Sequence, residues 1–264
     1  MPEISQLFDS TFDALDRSLT VDLITEWNLI TGADETEARA RFEEREDISQ
    51  VPIRSGNRIV GVWFREDGFR TLDEMMLISD ATPISQFIPM TGAFRLVLKR
   101  GAIDGIVTRS DLNKLPVRLL SFGLITHLEL QMACLIETRH PSDSWLSLLD
   151  PRRREDIEKR FKRDLAGPDW EGRTTRLGCT FLTDKFKILG EEPDFGADLA
   201  ADQNEINLLR KKLAHSDNYV WDDEPLENFC KRYELAQSWV ARLHQLLVHE
   251  EEAHRSGAAA GSDQ

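Results

Sequence analysis

The sequence is short of the residues on which disulfide-stapled and thiolate-metal domains depend. Its 3 cysteines in 264 residues, Cys134, Cys179 and Cys230, are scattered without a Cys-x-x-Cys spacing, which argues against a disulfide framework and against a thiolate zinc site. They read as reduced, mostly buried thiols. Uninterrupted apolar runs fall short of the roughly 18 residues of a membrane span, and the start Met1-Pro2-Glu3-Ile4 lacks a basic stretch followed by an apolar one. A cytoplasmic protein with no membrane partner is therefore expected. There is no Gly-rich phosphate loop, no His-Glu-x-x-His helix and no serine nucleophile elbow, so several familiar enzyme classes are disfavoured. Positive charge is also scarce. Lys and Arg number 33 against 47 Asp and Glu, a net charge of −14, which repels a phosphate backbone at long range and speaks against generic DNA binding. The densest basic segment, residues 151–163, interleaves its arginines and lysines with acids and reads first as a solvated, self-paired helix.

A chain of this length can bury two cores, and two domains are expected. The first half repeats itself. The segment Gly56 to Asp67 aligns with Arg100 to Asp111 at a constant offset, 100 − 56 = 44 residues, with Ile59, Gly61, Arg65 and Asp67 recurring as Ile103, Gly105, Arg109 and Asp111. Each copy predicts two short strands around a Gly-containing turn, Val51 to Arg54 with Ile59 to Phe64, and Phe94 to Lys99 with Ile103 to Val107. Between them, Pro83 opens a short helix whose apolar face is Ile84, Phe87 and Ile88.

The stretch Gly105-Ile106-Val107-Thr108-Arg109-Ser110-Asp111-Leu112 gives this half its resemblance to the tandem repeats of the cystathionine-β-synthase (CBS) domain family, over roughly Thr20 to Arg118. The resemblance implies a pseudo-symmetric module with an adenosine-containing regulatory ligand, AMP, ADP or ATP, in its cleft. It implies Thr108 and Asp111 as ribose contacts and Thr82 near the adenine. A carboxylate can accept two ribose hydroxyls, and the helix N-terminus that follows attracts phosphate. The same residues would equally serve as a plain helix N-cap. The first copy carries Phe64 where the second has Thr108, so at most one good nucleotide site is expected.

From Leu119 onward the apolar spacing turns helical. It predicts a helix of about 20 residues ending near Thr138 to Pro141, a charged helix from Arg152 to Leu165, and a helix from Thr180 to Leu189. An acidic loop follows from Glu191 to Asp202, then a helix from Glu205 to His215 with Ile206, Leu209 and Leu213 inward, and a last helix from Leu226 to Val248. The expected architecture is an α+β domain over 1–118, an all-α bundle over 119–248 and a frayed tail over 249–264. In that tail His249 and His254 lie on different helix faces, which makes a polar tail a better reading than a metal pair.

The motif that bears chemistry is Arg210-Lys211-Lys212-Leu213-Ala214-His215. An Arg-x4-His pair is cheap: 24 arginines and 6 histidines give roughly 0.5 such pairs by chance, so its setting must carry it. Arg242 and His249 also satisfy a looser Arg-x6-His search, but they sit at the end of the last helix. The pair at 210 and 215 follows an apolar-spaced helix, has a small residue before the histidine and is followed by a turn. In this it resembles the HEPN family of helical nucleotide-binding domains, over roughly Leu119 to Val248, although Lys211 stands where a polar, often asparagine, residue is usual. The resemblance implies a homodimeric, metal-independent endoribonuclease. His215 would be general base or acid, Arg210 would hold the phosphorane charge, Lys211 would add phosphate affinity, and a 2′,3′-cyclic phosphate would be left. No cofactor is expected for catalysis.

Five steps of 100° set Arg210 and His215 about 140° apart on a straight helix, so the chain must bend at His215 or a second subunit must close the site. Glu129 and Glu137 are both open as the acidic partner of His215. By analogy, the pairing suits a stress- or phage-responsive toxin, with a nucleotidyltransferase antitoxin as partner. The rival reading is a non-catalytic dimerisation and regulatory binding module, with Arg210 a solvated residue and His215 a helix C-terminal residue favoured by the macrodipole.

Overall fold

The computed structural model describes residues 2–167, 175–214 and 226–260. Its elements run α1 (Pro2–Ser18), α2 (Glu35–Glu44), β1 (Gln50–Ser55), β2 (Arg58–Phe64), β3 (Gly68–Thr71), β4 (Leu77–Ser79), α3 (Ile84–Phe87), β5 (Phe94–Lys99), β6 (Ala102–Thr108), α4 (Leu115–Arg139), α5 (Pro151–Leu165), α6 (Leu182–Gly190), α7 (Gly196–Ala214) and α8 (Leu226–Ala260). The fold is mixed α+β with a helical C-terminal region. Two compact units partition it, Asp16–Leu120 and a second one made of Met1–Leu15 with Ser121–Gln264. Residues 1–15 are expected with the α+β half. They belong instead with the helical one, where Phe12 stacks on His127 of α4 at 5.1 Å and Leu15 packs over Gly123.

In the α+β unit the 44-residue repeat is written into the backbone. Strands β1 and β2 pair antiparallel with Ile53 opposite Gly61 and a bulge after Ile53. Strands β5 and β6 pair antiparallel with Val97 opposite Gly105 and a bulge after Val97. Every one of these positions maps onto its counterpart by the same offset. The flanking pairings also correspond: β4 runs parallel to β5 with Ile78 opposite Val97, and Gly32 forms a parallel bridge to Ile53. β3 completes the first sheet against β2. Ile59, Val62, Phe94 and Leu96, two residues from each copy, form one buried cluster. Pro83 does open a short helix, and Ile84, Phe87 and Ile88 are fully buried.

Two glycines of the repeat are held by close packing. A β-carbon at Gly61 would lie 2.4 Å from the Arg70 carbonyl oxygen, and one at Gly105 would lie 2.4 Å from Thr25 Cγ2 and 2.8 Å from the Trp27 ring. Only hydrogen fits there.

In the helical unit, α4 carries the core. Leu124, Leu128, Met132, Leu135 and Ile136 are buried along it. By length and composition this helix could cross a membrane, with a mean hydropathy of 1.6 over its best window, and 56% of that window is buried within the protein. Polar residues such as Arg118, His127 and Glu129 interrupt this stretch, so it contains no unbroken apolar run of that length. Helix α5 starts at an Asp150 N-cap whose carboxylate accepts from the Arg153 amide at 2.9 Å. Its basic face is indeed partly self-paired, Lys159 with Glu155 at 2.8 Å and Lys162 with Glu158 at 3.7 Å.

Two expected irregular segments are helical. α7 begins at Gly196, inside the expected acidic loop, because Phe195 and Leu199 are buried and Asp202 accepts from the Trp239 indole at 2.8 Å. Burial overrides the weak local propensity of Gly and Asp. α8 runs through the expected tail to Ala260. Glu250 at its start is held by Arg139 at 2.8 Å.

Candidate functional site

Ile206, Leu209 and Leu213 bury one face of α7; Arg210 borders that face, Lys211 lies opposite it, and both are exposed in its last turn. The helix C-terminus favours cations there. Neither side chain has a hydrogen bond or ion pair among the described residues. Both line a cavity of about 330 Å³, together with Ala214 and with Phe122, Ile125, Thr126 and Glu129 of α4. The expected catalytic residues Arg210 and Lys211 thus share one concave surface with a carboxylate, and Ala214, the neighbour of the expected histidine, reaches it too. His215 itself lies outside the described residues.

Of the two carboxylates weighed as its partner, Glu129 is in this cavity. It is paired with Lys185 of α6, Nζ to Oε1 at 2.9 Å. Glu137 lines an adjoining cavity of about 340 Å³ with Lys185 and Cys134, and the two cavities share Thr126 and Glu129. Burial pushes the Glu137 carboxyl above its ordinary range, with Asp143 nearby adding to the effect.

Lys185 is a functional candidate that the sequence reading passed over. Its side chain is only 5% exposed and is held by Glu129 and by the Thr180 hydroxyl, each at 2.9 Å. The signal was present, since Leu182, Lys185, Phe186 and Leu189 form one stripe at helical spacing and lysine is the odd member. Arg242, the other arginine considered, is engaged elsewhere. Its guanidinium lies over Trp239 at 4.8 Å and donates to the Asp194 carbonyl, while His249 is exposed on α8.

In the α+β unit, Thr108 and Asp111 do come together. The Asp111 Oδ2 accepts from the Thr108 amide at 2.6 Å and from its hydroxyl at 2.9 Å, and Oδ1 pairs with Lys114 at 2.8 Å. Lys114 also donates to the Ile24 carbonyl at 2.6 Å. Arg109 donates to the carbonyls of Ile88 and Met90 at 3.0 and 3.1 Å, which fixes the turn after α3. Thr82 is half-buried, and its carbonyl accepts from the Val21 amide at 2.9 Å. The carboxylate expected to meet a ribose is thus already engaged on both oxygens, with Thr108 as the N-cap and Asp111 three residues on accepting from its amide. Ribose hydroxyls would have to compete with Lys114 for Oδ1.

No protein-family model, no curated protein and no solved structure matches the chain.

Proposed function

We propose that the chain is a nucleotide-regulated endoribonuclease that needs no metal, with an HEPN-like helical unit as effector and a CBS-like repeat unit as sensor. The observation that carries this reading is the cavity at the end of α7. In a chain of net charge −14, Arg210 and Lys211 have no partner among the described residues and face a concave surface with Glu129. An unpaired guanidinium beside an unpaired ammonium is an anion site, and a phosphodiester is an anion that needs such charge in its transition state.

His215 takes the proton of the attacking 2′-hydroxyl and returns one to the leaving 5′-oxygen. Arg210 neutralises the phosphorane, Lys211 holds the neighbouring phosphate, and Glu129 orients the imidazole. A second copy of the chain completes the cleft. An adenine nucleotide held by Thr82, Thr108 and Asp111 biases that pairing through its differential affinity for the paired and unpaired states.

The test is incubation of the purified chain with total RNA and with tRNA, without added metal and with and without AMP or ATP. The expected result is cleavage to 2′,3′-cyclic phosphate ends, reduced at least ~100-fold in His215→Ala and in Arg210→Ala. Equal degradation by wild type and His215→Ala, or degradation by neither with or without nucleotide, overturns it.

A non-catalytic regulatory module is the second reading, favoured by the fully engaged carboxylate of Asp111. It predicts oligomerisation through the helical unit with no RNA cleavage.

A further inference from the structure

The two cavities along α4 adjoin at Thr126 and Glu129, and the charged groups left unsatisfied among the described residues line one or the other. In one are Arg210 and Lys211, which are donors only. In the other is Glu137, which has no hydrogen bond or ion pair among the described residues. The charged groups between them are paired: Glu129 holds Lys185 through Oε1, and Lys185 is completed by Thr180. The wall between is largely apolar, with Leu130, Ala133 and Leu177. Glu129 and Glu137 are eight residues apart, about 12 Å along the helix axis. A complementary ligand therefore carries an anionic group at one end, a flat apolar body, and N–H donors at the other.

We infer that the Glu137 cavity is a base subsite for single-stranded RNA, specific for guanine, with the adjoining phosphate on Arg210 and Lys211. Single-stranded RNA is read on its exposed Watson–Crick edges, and guanine presents two adjacent donors there, N1–H and the N2 amino group. These fit the two oxygens of one carboxylate. Adenine and cytosine offer one amino group beside an acceptor, and uracil offers one imino group between two carbonyls that a carboxylate repels. The cavity, about 340 Å³, falls within the usual size of a small-ligand site. Elevation of the Glu137 carboxyl by burial fits a group that awaits donors, since two hydrogen bonds would restore the ionised form.

This inference rests on the reading of the helical unit as an RNA-binding effector, and the experiment separates the two. Fluorescein-labelled uridine hexamers carrying G, A, C or U at one central position are titrated against the full-length His215→Ala chain, and anisotropy gives each Kd. The expected result is G bound about tenfold more tightly than the other three, the size of a good bidentate base contact. Glu137→Gln abolishes the preference for G, while Arg210→Ala weakens all four by a similar factor.

Equal affinity for the four hexamers, or no binding, overturns the inference, and that comparison uses Glu137 intact, so it stands even if Glu137→Gln does not fold. Guanine-selective binding by a chain that never cleaves RNA overturns the nuclease alone. Cleavage without selectivity overturns the base subsite alone.

Discussion

At the end of β2 in the first repeat copy, Phe64 packs against Phe94 with ring centres 5.9 Å apart and the rings tilted, and the Arg70 guanidinium lies 4.9 Å over the Phe64 ring. At the same place in the second copy, Thr108 gives its amide and hydroxyl to Asp111. Around that difference the copies keep the same framework. Arg65 donates to the carbonyls of Phe42, Arg45 and Ile48, at 3.1, 3.0 and 2.8 Å, as Arg109 donates to Ile88 and Met90. Asp67 pairs with Arg70 at 2.6 Å, as Asp111 pairs with Lys114. The repeat thus preserves the parts that position the chain, an arginine clamp, a tight glycine and an i,i+3 ion pair. It varies the residue that either fills the core or leaves a polar group at a helix start.

The largest test of this equivalence is at the glycines. Gly61→Ala meets backbone at 2.4 Å, and Gly105→Ala meets side chains at the same distance. Overpacking of this kind costs about 1–3 kcal/mol. Urea denaturation is expected to place Gly61→Ala at the upper end and Gly105→Ala lower, because Thr25 and Trp27 can shift where a carbonyl cannot. Equal, negligible losses would break the equivalence.

Next in size is Phe64→Thr, which installs the second copy's residue in the first. It forfeits the aromatic contact and part of the shared cluster, and a loss of about 2 kcal/mol is expected in the same assay. A neutral result would mean that the copies are interchangeable at this position.

Smaller still is Asp111→Asn, expected to cost about 1 kcal/mol because it weakens three hydrogen bonds in a mostly buried setting. Asp67→Asn should change stability by less than about 0.5 kcal/mol, since its pair with Arg70 is more than half exposed. A reversed order would show that the ion pair, and not the cap, is what the second copy needs.

The smallest effect lies in the helical unit, where burial raises the Glu137 carboxyl. The folded state then binds this proton more tightly than the unfolded chain does. Its contribution to stability is full below the ordinary carboxylate value and is lost as pH rises through the elevated one. Glu137→Gln is expected to flatten the stability profile in that window, measured by thermal unfolding across pH. An unchanged slope would mean that the carboxyl is solvated.

Local pattern made the hairpins readable. Alternating apolar residues and a Gly-bearing turn specify a strand pair whatever surrounds it, and a constant offset between Gly61 and Gly105 exposes a repeat without any knowledge of what packs on them. The face of α7 was equally legible, because Ile206, Leu209 and Leu213 recur at helical spacing. The start of α7 and the end of α8 were hidden for the opposite reason. Residues 196–204, Leu199 apart, and 249–260 are mostly polar or small, and their helical state follows from contacts made at Phe195, Leu199, Asp202 and Glu250 with distant partners.

The sequence by itself determined the α+β half with its doubled hairpin, the helical half, and which cations stand at the end of α7, because each is a property of spacing along one element. Tertiary structure alone decided that residues 1–15 join the helical unit and that Lys185 is buried against Glu129. It alone set Asp111 on both Thr108 and Lys114, and placed Arg210 and Lys211 across a cavity from α4. These are pairings between elements far apart in the chain, chosen by which surfaces exclude water together, and no periodicity within either partner encodes them.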